Sequence, residues 1–343
     1  MSSHCSSVDE IVSFFSNHKD SLLYTCDGDE EYSYCQDYYL MQVKMNALQC
    51  VSFEPAPYVH NVSYSGVTLV NHLTYDRRQI LPILMKRWRG SISTVLFIEE
   101  DQLRDVAAFI LQQKRTNVIY SLYIRHTSSS NIPYVARKGK RVYYVNGIYP
   151  TNTLRNIGIE SIHTSHYLLL NIDTIPSINI YDSILENTRL LQNHKNVLLL
   201  PVFYSSRRVS QMVKVMKNYE ELVKLIPSTK AELLKEGELR LYSSHQSDYI
   251  QELDDWMREK GKSAYETQMT KLIEPNGVFR RSVMNPLFNS LFVNECRNDY
   301  YYMWRLQNDG YSFSTLPQSF GVTLSLPTFT TKNSEEEEQE LLS

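Results

Sequence analysis

The stretch from residue 166 to residue 177 constrains the fold of this chain more than any other, because it combines a buried strand with polar side chains at its end. Residues 167–170 are aromatic or aliphatic. Asn171 and Asp173 follow two positions apart, so in an extended backbone both side chains point to the same face. Pro176 then ends the predicted strand.

A carboxylate at the end of such a strand favours one kind of ligand. In an open α/β sheet, ligands bind beyond the carboxyl ends of the strands. Hard divalent cations take oxygen ligands from carboxylates and phosphates alike. Asp173 is therefore a candidate to hold a divalent cation and, through it, a nucleotide diphosphate. The alternative is a core strand whose aspartate only caps the next helix.

The segments before this stretch alternate between strand and helix patterns. Residues 66–73, 91–98 and 118–124 are rich in β-branched and aliphatic residues, and amphipathic segments separate them. A β-α-β-α-β succession predicts the α/β class, with a mostly parallel sheet and helices on its faces.

Composition excludes two classes of protein. The 343 residues carry a net charge of −3 and are 42% hydrophobic, which is enough to build a large core. A nucleic-acid-binding protein usually has a strongly basic face, which this near-neutral balance argues against. The chain has no apolar run of about 18 residues, so no membrane span is predicted.

The cysteines are concentrated near the N-terminus. Cys5, Cys26, Cys35 and Cys50 lie within the first 50 residues, and no CxxC pair indicates zinc. This distribution predicts a disulfide-stapled stem over residues 1–64, ahead of a main domain at 65–330. The acidic residues of 331–343 predict a disordered tail.

Several short blocks, in order, resemble one family. They include the spans 67–77 (VTLVNHLTYDR), 88–93 (WRGSIS), 149–156 (YPTNTLRN) and 171–176 (NIDTIP). Over about residues 65–327 the chain resembles glycosyltransferase family forty-nine, the relatives of the dystroglycan-modifying xylosyl- and glucuronyltransferases. The weaker blocks are Ser228-Thr-Lys-Ala-Glu-Leu-Leu, Ile273-Glu-Pro and Leu316-Pro.

The resemblance implies a GT-A fold, with a Rossmann-like sheet that binds the nucleotide-sugar and a C-terminal half that binds the acceptor. By the same resemblance Asp173 would hold Mn²⁺ on the donor diphosphate. The residues that would face the nucleotide are Asn71, Asp76, Arg77, Arg155, Asn156 and Asn171. From the residues alone, ordinary structural roles stay open: a helix cap for Asp76, surface ion pairs for the two arginines and a turn for Asn156.

The chain departs from the family pattern at the metal motif. Asn171 stands where the family has an aspartate, and Thr323 lies about where the family has a metal-binding histidine. The loss of one carboxylate beside a divalent cation could weaken binding on the order of 10²-fold. The segment 290–294 keeps only the asparagine of a conserved family block.

An inverting sugar transfer needs a carboxylate to accept the proton of the attacking hydroxyl. Glu274 is the candidate, because its Glu-Pro pair matches a family block. Glu266, Asp254 and Asp255 are the remaining candidates, and ordinary exposed helix or loop charges are the alternative for all four.

Two functions remain open from the sequence. The first is a glycosyltransferase that moves a sugar, with inversion, from a UDP-sugar to a hydroxyl of a glycan or glycoprotein. The second is a catalytically inactive GT-A-fold protein that binds a glycan or a protein partner. The resemblance implies the Golgi or another secretory lumen. Because residues 1–10 are polar and carry no signal-peptide core, a cytoplasmic location is the alternative.

Overall fold

The structure is a computed structural model that describes twelve parts of the chain. They are residues 1–24, 27–28, 31–58, 64–126, 131–144, 147–206, 209, 212, 219–236, 250–267, 275–293 and 298–324. The predicted tail at 331–343 lies outside the described residues.

The strands are numbered in chain order. They are β1 Ser2–His4, β2 Leu23–Tyr24, β3 Asp27–Gly28, β4 Tyr32–Cys35, β5 Tyr38–Lys44, β6 Gln49–Ser52, β7 Val67–Thr74, β8 Ser91–Glu99, β9 Val118–Arg125, β10 Tyr134–Arg137, β11 Lys140–Tyr143, β12 His166–Leu169, β13 Thr174–Pro176, β14 Asn196–Leu199, β15 Val202–Tyr204, β16 Tyr265–Glu266, β17 Gly277–Arg280, β18 Ser312–Thr315 and β19 Gly321–Thr323.

The helices are numbered in the same way. They are α1 Val8–Leu22, α2 Leu81–Arg87, α3 Leu103–Gln112, α4 Thr151–Glu160, α5 Ile180–Glu186, α6 Thr188–Leu191, α7 Tyr219–Val223, α8 Lys230–Lys235, α9 Ile250–Arg258 and α10 Asn298–Asn308. Two 3₁₀ helices, Tyr75–Ile80 and Glu100–Gln102, precede α2 and α3. Within the described ranges, none of the helices is long and apolar enough to cross a membrane.

The largest sheet among the described residues has twelve strands. Its order is β1-β6-β5-β9-β8-β7-β12-β17-β14-β18-β16, and β2 pairs with β5. The four strands β9, β8, β7 and β12 are parallel neighbours, and antiparallel strands flank them at β5 and β17. The β7-α2-β8-α3-β9 succession is the predicted alternation, so the α/β class is confirmed.

The N-terminal segment belongs to this sheet, although a separate stem was predicted there. Strand β5 pairs with β9 along seven residues, and β6 and β1 extend the same edge. The apolar side chains of Ile11, Phe14 and Met41 enter the main core beneath the sheet. A disulfide joins Cys5 to Cys50, and both cysteines are buried. Helix α1 and strands β5 and β6 therefore share the core of the parallel strands, whereas β3 and β4 pair in a separate sheet with β10 and β11.

Helix α4 lies against β7 and β8 because one glycine lets the backbones approach. A Cβ atom on Gly158 would lie 2.7 Å from Cγ1 of Val70 and 3.4 Å from Cγ2 of Val95. The helix precedes β12 and runs antiparallel to the parallel strands, as a crossover helix does. Its N-terminus therefore lies at the carboxyl ends of those strands, where a ligand site is expected.

Candidate active site

The polar residues after β12 lie in a turn. The amide of Leu170 donates to the carbonyl of Val70, and the amide of Thr174 donates to the carbonyl of Asn171 at 3.0 Å. The chain therefore turns at residues 172–173, so the prediction that Asn171 and Asp173 share an extended segment is wrong. Pro176 is the last residue of the short strand β13, so it ends that strand and not β12.

Asp173 lies between β12 of the twelve-stranded sheet and β13, which forms a second sheet with β19 and β15. Its carbonyl accepts a hydrogen bond from the amide of Leu324 at 2.9 Å, just beyond β19. Strand β19 pairs with β13 so that Thr323 lies opposite Thr174. The Asp173 side chain is 21% exposed, so the carboxylate is not enclosed in the core. The two positions that the resemblance assigns to a metal, 173 and 323, are neighbours in space.

Each polar side chain of this turn faces an arginine. Nη1 of Arg77 lies 3.9 Å from Oδ2 of Asp173, and Nη2 of Arg155 donates to Oδ1 of Asn171 at 3.3 Å. Arg155 is 4% exposed, and it also forms an ion pair with Asp299 at the start of α10. Phe288 covers its guanidinium, 5.1 Å from the ring centre. Two cationic groups therefore meet at the carboxyl end of β12, where a phosphate-bearing ligand would be stabilised.

Two other predicted nucleotide contacts, Asn71 and Asn156, bond to other parts of the structure. Asn71 is fully buried, and its Oδ1 accepts the hydroxyl of Thr94 on the neighbouring strand. Asn156 exchanges two hydrogen bonds with the backbone of Phe288, at 2.8 and 2.9 Å, so it fastens that loop to α4. Neither contact involves the turn at 171–173, and their role with a nucleotide stays a prediction.

Asp76 stands in the first turn of the 3₁₀ helix that follows β7. It is exposed and accepts the hydroxyl hydrogen of Thr74. Thr74, not Asp76, is the residue at the N-terminal cap position. The same short helix includes Arg77, and it places the guanidinium of Arg77 near the carboxylate of Asp173.

His72 is a residue of this region that the sequence reasoning missed. It lies near the end of β7, and its Nδ1 is 2.7 Å from the hydroxyl of Tyr149. Nε2 has no hydrogen-bond partner within the described residues. Burial, with the positive charges of Arg155 and Arg77, lowers the pKa of His72 to about 3, so the ring is neutral. A lone polar ring in an apolar strand gave only a weak signal in the sequence.

The structure does not test the predicted catalytic base. Glu274 lies outside the described residues. Asp254 faces Arg258 on α9 at 3.8 Å, Asp255 is exposed on the same helix, and Glu266 is exposed on β16. The role of Glu274 as base stays a prediction.

Comparison with known proteins identifies the family. Residues 66–340 match the family of glycosyltransferases described as "Glycosyl-transferase for dystroglycan", which is most of the chain. The chain belongs to this family. The α/β sheet described above is consistent with the GT-A fold that the resemblance implied, and that expectation is confirmed.

The curated relatives in this glycosyltransferase family are longer proteins. Xylosyl- and glucuronyltransferase LARGE2 of Mus musculus is 26% identical over 279 residues, which is 79% of this chain and 35% of the relative. Xylosyl- and glucuronyltransferase LARGE1 of Homo sapiens is also 26% identical over 279 residues, which is 32% of its length. The chain thus spans about a third of the relatives that it matches.

Two solved structures are similar to this chain in part. S. aureus TarS 1-349 in complex with UDP-GlcNAc has a TM-score of 0.46 and 11% identity, covering 80% of this chain and 65% of that one. GalNAc-T7 with UDP, GalNAc and Mn²⁺ has a TM-score of 0.43 and 10% identity, covering 78% and 45%.

The metal motif of the family is only partly present here. Among the described residues, no three histidine, cysteine or acidic side chains converge as a metal site would require. What remains is the partly exposed carboxylate of Asp173 and the amide oxygen of Asn171. Carboxylate and amide oxygens both suit Mn²⁺. These two oxygens would be only part of a cation's ligand set, and each also faces an arginine.

Proposed function

We propose that this protein is a glycosyltransferase that moves a sugar from a UDP-sugar to a glycan hydroxyl with inversion. The observation that carries the proposal is the meeting of Asp173, Arg77 and Arg155 at the carboxyl end of β12. Membership of the family supports the reaction class, and the printed names of the relatives support transfer of xylose or glucuronic acid. A glycan or glycoprotein is the proposed acceptor.

The two arginines provide the electrostatic part of the mechanism. As the bond between the sugar and the diphosphate breaks, negative charge grows on the leaving nucleoside diphosphate. Arg155 is fixed by Asp299 and Asn171, so its charge is oriented before the reaction begins. Arg77 approaches the same turn through Asp173. Preorganised charges of this kind stabilise the transition state because they need no reorganisation during the reaction.

Asp173, with the amide oxygen of Asn171, is the proposed holder of Mn²⁺. A bound cation would neutralise charge on the leaving diphosphate. The carboxylate of Glu274 is the proposed base that takes the proton of the acceptor hydroxyl while the hydroxyl oxygen attacks the anomeric carbon.

The inactive alternative rests on Asn171 and Thr323, which replace an aspartate and a histidine of the family pattern. The relatives are named as transferases, so the enzyme is the better-supported proposal.

A secretory compartment is the proposed location. The disulfide between Cys5 and Cys50 supports it, because such bonds persist in oxidising compartments and are rare in the cytosol. The resemblance points to the Golgi lumen within that pathway.

The test is release of UDP from a panel of UDP-sugars, measured with a coupled assay in the presence of Mn²⁺. We expect the wild-type protein to release UDP from at least one donor, by hydrolysis or by transfer of the sugar. In Asp173→Asn the rate of UDP release should fall at least 10²-fold. Asp182→Asn is the matched control, because Asp182 lies on α5 and forms an exposed ion pair with Arg89. Equal rates for wild type and Asp173→Asn would contradict the proposed role of Asp173.

A further inference from the structure

Unpaired buried polar atoms lie on β7 and in the first turn of α4. Within the described residues, Nε2 of His72 and the hydroxyls of Thr151 and Thr153 have no hydrogen-bond partner. His72 is 9% exposed and Thr151 is 2% exposed. A buried polar group without a partner is costly, so each of these atoms calls for an explanation, and a bound ligand is one.

The first turn of α4 adds backbone amides to this group, although the amide of Thr151 already donates to the carbonyl of Tyr149 at 3.0 Å. Pro150 stands at the N-terminal cap position and provides no side-chain hydrogen bond to the helix. The first amides of a helix have no partner inside the helix, and its N-terminus carries a partial positive charge. At ten residues, α4 is long enough for this effect. Such a helix end binds phosphate and other anions.

One nitrogen of the His72 ring is held by Tyr149. Tyr149 lies two residues before α4, and its hydroxyl meets Nδ1 of the imidazole. If that hydroxyl donates its hydrogen to Nδ1, the ring proton is on Nε2, and Nε2 becomes a hydrogen-bond donor. The charges of Arg155 and Arg77 act on the same ring, which places His72 in the electropositive region of the site.

We propose that His72 is a donor-binding residue whose Nε2–H donates a hydrogen bond to the diphosphate of the nucleotide-sugar at the N-terminus of α4. This inference rests on the proposed function and adds a residue to it. Tyr149 is the positioning residue, because it sets which ring nitrogen carries the proton.

Two substitutions at position 72 separate the two ring nitrogens. In His72→Gln the amide nitrogen reaches the place of Nε2, so the donor to the ligand is retained. In His72→Asn the shorter amide replaces Nδ1 and no group replaces Nε2. His163→Gln is the control, since His163 is an exposed histidine on the loop after α4.

The measurement is the Kd of UDP by titration calorimetry, in parallel with uridine and with pyrophosphate as separate ligands. We expect His72→Asn to weaken UDP and pyrophosphate binding about tenfold, and His72→Gln and His163→Gln to stay within about threefold of wild type. Tyr149→Phe should weaken UDP binding by less than His72→Asn, and it tests the idea if the asparagine variant does not fold.

Three results would overturn the assignment in different ways. Equal UDP affinity of wild type and His72→Asn would remove His72 from the donor site and leave the proposed function intact. Weakening for uridine alone would place the histidine at the base and refute the diphosphate contact. A wild-type protein that binds neither UDP nor pyrophosphate would refute the proposed function together with this inference.

Discussion

Acid should destabilise this protein through its buried histidines, and His72 allows the effect to be isolated. The pKa of His72 is lowered to about 3 in the folded protein, mainly by burial, against an ordinary value of 6.5. Below pH 6.5 the unfolded chain binds a proton that the folded protein rejects. Stability therefore rises with pH and is lost as the pH falls from about 6.5 towards 3.

The size of the effect follows from these two pKa values. At pH 5 the unfolded state gains about 2 kcal/mol from protonation of one such histidine, and the folded state gains almost nothing. Because His72 is 9% exposed, solvent does little to reduce this figure. His166 should add a similar amount, since burial lowers its pKa to about 4.

The assay is urea unfolding followed by circular dichroism at pH 8 and at pH 5. Between these two pH values the wild-type protein should lose about 2 kcal/mol more of its free energy of unfolding than His72→Gln, which has no titrating group at this position. If both proteins lose the same free energy, His72 is not held neutral in the folded state. The reasoning about its burial would then be refuted.

Three other predictions follow from single contacts. Replacing Cys5 and Cys50 by serine opens a loop closed over 45 residues and should cost about 4 kcal/mol of stability in urea; a loss below about 1 kcal/mol would show that this disulfide does not constrain the unfolded chain. Asn171→Asp should tighten Mn²⁺ binding in the presence of UDP about tenfold or more by calorimetry, and an unchanged affinity would show that residue 171 does not face the cation. Gly158→Ala should lower stability by about 1–3 kcal/mol, because the methyl group meets Val70 at 2.7 Å; an unchanged melting temperature would mean that α4 can shift without cost.

The parallel centre of the sheet could be predicted because its strands are long, buried and rich in β-branched and aliphatic residues. Residues 67–74, 91–99 and 118–125 are buried along nearly their full length, which gives the sequence a strong pattern. The strands at the edge of the sheet were harder to predict. Strand β5 is built from tyrosine, methionine and glutamine next to an acidic segment, so the N-terminal segment read as a polar stem. Its partner, β9, is about 80 residues away in the chain.

At the site, the structure brings three of the predicted residues together. Asp173, Arg77 and Arg155 lie at the carboxyl end of β12, and their role with a ligand stays a prediction. On β7, however, Asn71 and His72 point to opposite faces of the sheet, and Asn71 was chosen. Which face carries α4 depends on the close approach at Gly158, and a single sequence does not reveal that contact. Asp299 was not predicted either, because it lies 144 residues from Arg155 in the sequence and the sequence alone does not reveal that contact.

Binding of UDP to the wild-type protein tests the central claim most directly. The melting temperature should rise with UDP and rise further with UDP and Mn²⁺ together, because a ligand at 100 times its Kd adds about 2.7 kcal/mol to the folded state. Asp173→Asn should remove the additional shift caused by Mn²⁺. If saturating UDP leaves the melting temperature unchanged with and without Mn²⁺, the carboxyl end of β12 is not a nucleotide-sugar site.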